Sequence, residues 1–367
     1  MTVLYRKYRP QIFGEVIGQE HVVRTLTNSI KGNNVSHAYL FSGPRGSGKT
    51  TIARLFAKAI NCENRKEGQF EPCDKCSSCL EIMGGNSMDL IEIDAASHRG
   101  VDDVRELREG IKFAPVKSKY KIFIIDECHQ LSKDAANALL KTLEEPPAHA
   151  IFLLATTESH KMIPTILSRC QKFDFKRLQV PEIIKKLEFI AKKENVKFDN
   201  LALSLIALNS RGSFRDAESL LDECMSFSSE RGEIKTEDIK ELLGIVEISE
   251  ISRLVDYLVS RNTKDAILFL NSIVDNGVDL QEFTKTLVFY LREQLLLKID
   301  PDFLNLQNSG LSSQDLEKMK AQTFSLTQKD LQNMLEFFID AENKIKYSAV
   351  SQLPLELAVI NITHQEK

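Results

Sequence analysis

The sequence has no apolar run approaching the roughly 20 residues that a helix needs to cross a bilayer. Its first ten residues, Met1-Thr2-Val3-Leu4-Tyr5-Arg6-Lys7-Tyr8-Arg9-Pro10, lack the apolar stretch of a signal peptide. Both absences point to a cytoplasmic chain with no membrane partner. An excess of positive charge is missing too: 48 Lys and Arg stand against 52 Asp and Glu, a net −4. Composition therefore gives no sign of nucleic-acid binding, although basic residues can still gather on one face. Internal repeats and long low-complexity linkers are also absent. The seven cysteines are an odd number, and four of them cluster at Cys62, Cys73, Cys76 and Cys79. In a cytosolic chain such a cluster points to a metal site rather than to disulfides.

What is present is an ordinary globular balance, 43% apolar and 27% charged residues, in a chain of 367. That length exceeds one core and predicts two or three domains. Between about 36 and 178, short apolar runs alternate with helical patterns. The runs are 38–41, 90–93, 121–125 and 151–155, each suited to a strand buried on both faces. A helix after Ser132 is capped by that residue and stopped by Pro146-Pro147. Strands alternating with helices predict a parallel α/β sheet with flanking helices. Beyond about 179 the strand signal disappears. Helices are expected over 181–194, 201–210, 214–226 and 236–243, then 251–259, 264–274, 280–297 and 328–345. The expected organisation is an α/β domain over 1–178, a small helical domain over 179–243 and a helical domain over 244–367.

The clearest motif is Gly43-Pro44-Arg45-Gly46-Ser47-Gly48-Lys49-Thr50, which fits G-x-x-x-x-G-K-[ST]. The glycines let backbone N–H groups turn inward around phosphate. Lys49, expected to be solvated, reaches the β- and γ-phosphates, and Thr50 ligates Mg²⁺. A helix running from Thr50 and Thr51 aims its positive end at the same place. A chance match in a chain this long has odds of roughly one in a hundred at average composition, and the strand before and helix after are those the motif requires. The nucleotide is expected to be ATP.

A second motif, Ile122-Phe123-Ile124-Ile125-Asp126-Glu127, is an apolar strand ending in two acids. Buried charge is expensive without a purpose. Asp126 would hold Mg²⁺ through water and Glu127 would polarise an attacking water for in-line phosphoryl transfer. The alternative is a strand running out into a solvated turn. Asp126-Glu127-Cys128-His129 also spells a helicase signature, but the helical pattern after 179 supplies no second motor lobe. His129 is expected on the surface of the turn.

The cysteine spacing, Cys62-x₁₀-Cys73-x₂-Cys76-x₂-Cys79, suits four thiolates around tetrahedral Zn²⁺. It lies in a polar stretch, 61–87, too hydrophilic to pack a core, which a metal would stabilise. A redox pair from Cys73 and Cys76, four free thiols or an iron–sulfur cluster are the alternatives. Four protein ligands leave no open position, so the role is structural. Cys128, Cys170 and Cys224 lie outside it as buried or half-buried bystanders.

Further strings resemble one family, the AAA+ clamp-loader ATPases of the gamma/tau type in bacterial DNA polymerase III. They are Tyr5-Arg6-Lys7-Tyr8-Arg9-Pro10, Val16-Ile17-Gly18-Gln19, the run Asn137 to Pro147, Leu154-Ala155-Thr156-Thr157, Ser168-Arg169-Cys170 and Gly212-Ser213-Phe214-Arg215-Asp216, in the family's order. The C-terminal third is similar only in length and helicity. The resemblance implies an ATPase subunit that opens a sliding clamp and loads it on primed DNA, with delta, delta-prime and further copies of itself as partners. It implies that Tyr8, Arg9, Pro10, Ile17 and Gly18 enclose the adenine. Thr157, or alternatively Thr156, would sense the γ-phosphate, Arg215 would act as a second sensor on the small helical lid, and Arg169 would reach the neighbouring subunit's ATP. Family members carry a zinc module where the cysteines lie, though the ten-residue gap here is slightly wider. The helices after 244 would form an oligomerising collar. A branch-migration motor and a non-catalytic scaffold subunit are the rivals. Primer–template contacts are expected to the DNA backbone only, with Arg99, Arg105 and Arg108 as candidates; a solvated face is the other reading of these three. Polymerase- and helicase-binding segments of a tau-type tail are not visible.

Overall fold

A computed structural model describes residues 3–97, 110–111, 113–227, 233–242, 247–300 and 313–364. Arg99, Arg105 and Arg108 lie outside them. The chain divides into two compact units, Met1–Thr236 and Glu237–Lys367.

The first unit is built on a five-stranded parallel sheet: β1 (Ala38–Ser42), β2 (Leu90–Asp94), β3 (Lys121–Asp126), β4 (Ala150–Thr156) and β5 (Gln171–Asp174), in the order β2-β3-β4-β1-β5. Alternation along each central strand sends residues to two separate cores. Tyr39, Phe41, Ile122, Ile124, Ile151 and Leu153 pack on one face with Leu26, Ile52 and Phe56. Leu40, Phe123, Ile125, Phe152 and Leu154 pack on the other with Leu139 and Leu143. Burial on both faces is why these strands carry no polar alternation. The edge strand β2 departs from that expectation: none of its five residues is fully buried. The short β5 escaped sequence reading because its inward position is the single buried Phe173, flanked by exposed Gln171, Lys172 and Asp174.

Helices follow the periodic patterns closely. Lys133–Glu144 begins where the Ser132 side chain accepts from Ala135 N–H at 3.2 Å. The lid helices are Val180–Glu194, Asn200–Asn209 and Phe214–Phe227, the first opened by a Gln179–Glu182 capping box. Strand structure does not end at 179, because Lys197–Phe198 pairs in parallel with Glu233–Ile234. Nor is 61–87 devoid of packing: Ser77–Gly84 is a helix that buries Cys79 and Ile82.

The second unit is helical among the described residues: Ile248–Val259, Thr263–Asp275, Leu280–Ile299, Ser313–Ser325, Gln328–Ile345 and Leu353–Thr363. Phe283, Leu287, Tyr290 and Leu291 are buried in its own core with Leu331 and Phe338. Gln322 crosses that core, donating to Ser252 O at 2.8 Å and accepting from the Tyr290 hydroxyl at 2.8 Å. No described helix is long and apolar enough to cross a membrane.

Candidate nucleotide site and cysteine cluster

Strands β1, β4 and β3 are adjacent and parallel, so their C-terminal ends form one rim. Register aligns Ser42 with Thr156, and Ile125 with Leu154. The phosphate-loop motif follows β1, the two acids end β3 and the Thr156-Thr157 pair ends β4. Ligand sites of open α/β sheets lie at this edge.

The motif wraps before the helix Lys49–Ile60. Gly43 has φ 149 and Gly46 φ 73. A Cβ at Gly43 would meet Phe175 O at 2.5 Å, and one at Gly46 would meet Ser213 Oγ at 1.8 Å, so neither position admits a side chain. The loop touches the lid directly, since Phe214 N–H donates to Gly46 O at 3.2 Å. Ser47 is buried and donates from Oγ to Pro44 O, while Arg45 is exposed.

Lys49 is not solvated as expected. It is 6% exposed, and Nζ donates to Gly43 O at 2.8 Å and Pro44 O at 2.9 Å. The loop curls back over its own lysine, and carbonyls take the place of water. Burial holds the Lys49 pKa below the ordinary lysine value, against the pull of Glu127 and Asp126.

Thr50 Oγ1 donates to Asp126 Oδ2 at 2.8 Å, bringing the proposed Mg²⁺ groups together. Glu127 sits in the left-handed region at φ 46, anchored by its N–H to Asp126 Oδ1. Its carboxylate Oε2 accepts from Thr157 N–H at 3.1 Å and from Thr157 Oγ1 at 2.9 Å. Thr156 is turned away: it is fully buried, and its hydroxyl accepts from Glu158 N–H and meets His129 Nδ1 at 3.0 Å. Of the two threonines, Thr157 is the one joined to the acid pair.

His129 is not a surface residue. Its side chain is 8% exposed, and Nδ1 also lies 3.4 Å from Glu127 Oε2. It ties the ends of β3 and β4 together. Because it sits three residues past a strand, neither helix nor strand periodicity could place it.

Arg169 is held away from these groups. Nη1 donates to Thr165 O and Ser168 Oγ, and Nη2 to Glu144 Oε1 at 2.6 Å, with a third of the side chain exposed. Arg215 stacks its guanidinium 4.9 Å from the Tyr5 ring centroid. The N-terminal segment is gripped by the lid: Tyr8 donates from its hydroxyl to Glu194 Oε1 at 2.5 Å, and Leu4 N–H reaches Asp222. Arg9 and Pro10 line a shallow cleft with Thr51 and Arg54. Ile17 is half-buried, and Gly18 packs so tightly that a Cβ would meet Leu178 Cδ2 at 2.8 Å.

Sequence reasoning missed the buried pair beneath this segment. Lys186 Nζ donates to Tyr8 O at 2.8 Å and lies 4.0 Å from Glu218 Oε1. Burial pushes Glu218 up to about 7 against the opposing pull of Lys186 and Arg9, and pushes Lys186 down. The signal was present: Lys186 falls in the stripe Ile183, Leu187, Ile190, which is the inner face of its helix.

The four clustered cysteines converge, with every Sγ within 4.8 Å of the others. Four sulfurs at about 2.3 Å around a tetrahedral ion are about 3.8 Å apart, so the set is of the right size. N–H groups of Lys75 and Cys76 point at Cys73 Sγ, that of Cys73 at Cys62 Sγ and that of Cys79 at Cys76 Sγ, at 3.3–3.5 Å. Burial raises the Cys73 pKa, but those donors and the neighbouring thiols outweigh it and bring Cys73 down to about 6. Cys128 and Cys224 are buried and Cys170 half-buried, all free.

Three family models match the chain: the delta subunit of DNA polymerase III over residues 18–179, the ATPase lid domain of the DNA polymerase III clamp loader subunit over 182–230, and domain III of DNA polymerase III subunits gamma and tau over 234–367. The DNA polymerase III subunit tau of Bacillus subtilis is 43% identical over 365 residues, 98% of this chain and 62% of that protein. The tau subunit of Escherichia coli is 37% identical, and the chain spans 54% of it. The gamma subunit of Buchnera aphidicola subsp. Acyrthosiphon pisum is 35% identical, with 98% of each chain covered. Among solved structures, the RuvB Holliday junction branch migration motor of Thermotoga maritima aligns with TM-score 0.50 at 21% identity, covering 74% of this chain and 86% of that one, a likeness of fold alone. With a gamma subunit matched end to end at this identity, on a sheet whose rim carries a phosphate loop and two acids, the chain belongs to the gamma/tau family of DNA polymerase III subunits.

Proposed function

We propose that the chain is an ATP-hydrolysing clamp-loader subunit, which opens a sliding clamp and places it on primer–template DNA in company with delta, delta-prime and further copies of itself. One observation carries this reading: Thr50 and Asp126 meet at 2.8 Å while Thr157 holds Glu127 beside them, at the mouth of an intact phosphate loop. A scaffold subunit has no use for that arrangement.

Thr50 and Asp126 would hold Mg²⁺, which would supply neutralisation of phosphate charge. Lys49 exchanges the carbonyls of Gly43 and Pro44 for phosphate oxygens, and loop N–H groups from Gly43 to Thr51 cradle the rest. Glu127 orients the attacking water, and Thr157 fixes the angle of its carboxylate. Arg215 approaches from the lid, and Arg169 serves the ATP of a neighbouring copy, for which its guanidinium would have to leave Glu144. Tyr8, Arg9, Pro10, Ile17 and Gly18 enclose the base. Cys62, Cys73, Cys76 and Cys79 hold Zn²⁺ in a closed structural site, which the sulfur convergence and the N–H donors to sulfur support. The nucleotide domain to 178 agrees with a family match ending at 179; the lid and domain III matches adjoin between 230 and 234 and the compact units divide after Thr236, so the boundary between lid and collar falls ahead of the expected 243. Exposed Leu353, Leu357 and Ile360 on the last helix suit subunit packing in such a collar.

The test mixes two defective chains. Arg169→Ala alone should bind ATP as the wild type does, while hydrolysis in the assembled complex falls by roughly 10³ or more, as with other arginine fingers. Mixed with Lys49→Ala, some interfaces pair an intact loop with an intact arginine, and activity with clamp and primed DNA should partly return. No recovery in confirmed mixed assemblies would defeat the reading, as would a lone monomer showing full, Arg169-dependent turnover.

A further inference from the structure

The stretch between Cys62 and Cys73 does more than close a metal loop. Glu71, two residues before Cys73, reaches back to the N-terminal segment. Its Oε2 accepts from Phe13 N–H at 2.8 Å and its Oε1 from Gly14 N–H at 2.9 Å. Each carboxylate oxygen thus takes one backbone donor, a contact that ties the Glu71 side chain to main chain 58 and 57 positions away in sequence. Beside it the Phe13 and Phe70 rings lie 6.3 Å apart, with Phe13 fully enclosed.

A second tie runs through Lys58, on the helix that follows the phosphate loop. Its side chain is 3% exposed, and Nζ donates to Gln11 Oε1 at 3.2 Å. The same ammonium pairs with Asp74 Oδ1 at 2.6 Å, an ion contact without the alignment of a hydrogen bond. Asp74 lies between Cys73 and Cys76 at φ 54, so the knuckle that brings the thiols together also aims its carboxylate. Residues 11–14 are therefore held at three points by the cysteine loop and the phosphate-loop helix. On one side of them Arg9 and Pro10 line the cleft with Thr51 and Arg54. On the other, Gly18 is wedged against Leu178, and Gln19 exchanges hydrogen bonds with the main chain of Lys176 at 2.8 and 3.0 Å. A shift at 11–14 must move both flanks.

We infer that Glu71, supported by Asp74 and Lys58, is a positioning residue for the base-enclosing wall of the nucleotide pocket, so that the cysteine module sets affinity for a purine nucleoside triphosphate through residues 11–14. The inference rests on the nucleotide reading above. It differs from a purely structural role in one respect: the wall governs the base side of the ligand, while the phosphates are held by the loop itself. Loosening it separates ATP from a ligand with phosphates and no base.

The experiment measures binding of ATP and of tripolyphosphate by calorimetry, with the full chain, for wild type, Glu71→Ala and Glu71→Gln, with metal content and melting temperature recorded alongside. Glu71→Ala should weaken ATP roughly tenfold, the order set by losing a charged acceptor of backbone hydrogen bonds, and leave tripolyphosphate and metal content unchanged. Glu71→Gln keeps one acceptor oxygen and should fall between. If Glu71→Ala does not fold, Asp74→Asn takes its place, because asparagine tolerates the left-handed backbone and only the charge is lost; roughly a threefold loss of ATP affinity is expected for a partly exposed pair. Unchanged ATP affinity in folded variants overturns the inference. So does an equal loss for ATP and tripolyphosphate, which would mean that the phosphate loop itself had loosened. A wild-type chain that binds neither ligand overturns the nucleotide reading, and the inference falls with it.

Discussion

The phosphate loop and the cysteine loop are both tight turns that aim several groups at one point, with opposite chemistry. The first relies on glycines and satisfies Lys49 with its own carbonyls. The second turns thiols inward and directs N–H groups onto sulfur. One has an open side, since a Cβ at Gly48 would meet nothing within 4 Å. The other is closed, with Cys79 wholly buried. On the proposed reading, the open site would exchange its nucleotide and the closed one would keep its zinc, a working site beside a structural one.

The largest effect that tests this division is expected from Lys49→Ala. ATP binding should fall beyond calorimetric detection, by roughly 100-fold or more, as two charge-assisted contacts are removed. Zinc content, measured by elemental analysis, should stay at one per chain. Unchanged ATP affinity would remove the assignment of the phosphate loop.

Cys76→Ser is the reciprocal change. It should lose the metal and unfold 61–87 locally, with protection of that stretch against hydrogen exchange falling by several kcal/mol. ATP should still bind, weakened only as far as residues 11–14 loosen. A metal-free wild type with four thiols titrating freely under native conditions would defeat this. Equal damage to metal and nucleotide in both variants would erase the distinction between open and closed sites.

The two loops also differ in how far sequence exposed them. Both motifs are short and contiguous, so spacing alone named Lys49, Thr50 and the four cysteines. The central strands were legible because burial on both faces leaves unbroken apolar runs. What stayed hidden was anything fixed by a partner distant in sequence. Glu71 is one polar residue in a polar stretch, and its partners are backbone atoms without identity. The burial of His129 is invisible to local pattern because it depends on Thr156, on another strand. The enclosure of Lys49 is hidden because a loop's curvature over its own side chain is not a property of residue type. The edge positions of β2 and β5 follow from strand order, which no local pattern carries.

His129 gives the next test, smaller than loss of either loop. His129→Ala should leave ATP affinity unchanged and lower turnover by about 10- to 100-fold, because Glu127 loses one of the groups that hold its carboxylate in place. A change confined to KM, with kcat intact, would show that His129 supports the fold of the turn and not the acid.

The smallest effect concerns the other end of the segment that the cysteine loop holds. There the lid grips Tyr8 through Lys186, and Glu218 stands behind it, 5% exposed and raised from 4.5 to about 7. A carboxyl group that binds its proton more tightly in the folded chain stabilises the fold while that proton is retained. Between pH 4.5 and about 7 the folded state holds more protons at this position than the unfolded one, so stability falls as pH rises across that window and levels off above it. At about 1.4 kcal/mol per unit the change is on the order of 3 kcal/mol. Glu218→Gln keeps the shape and removes the titration, so urea unfolding at pH 5, 6, 7 and 8 should lose this contribution. Above pH 7 the variant should be the more stable of the two, because it leaves no buried carboxylate for Lys186 to offset, and Lys186 remains bonded to Tyr8 O. If wild type and variant keep the same slope between pH 5 and 7, Glu218 is not the titrating group. The lid then holds the N-terminal segment by a contact as indifferent to pH as the phosphate loop's own turn.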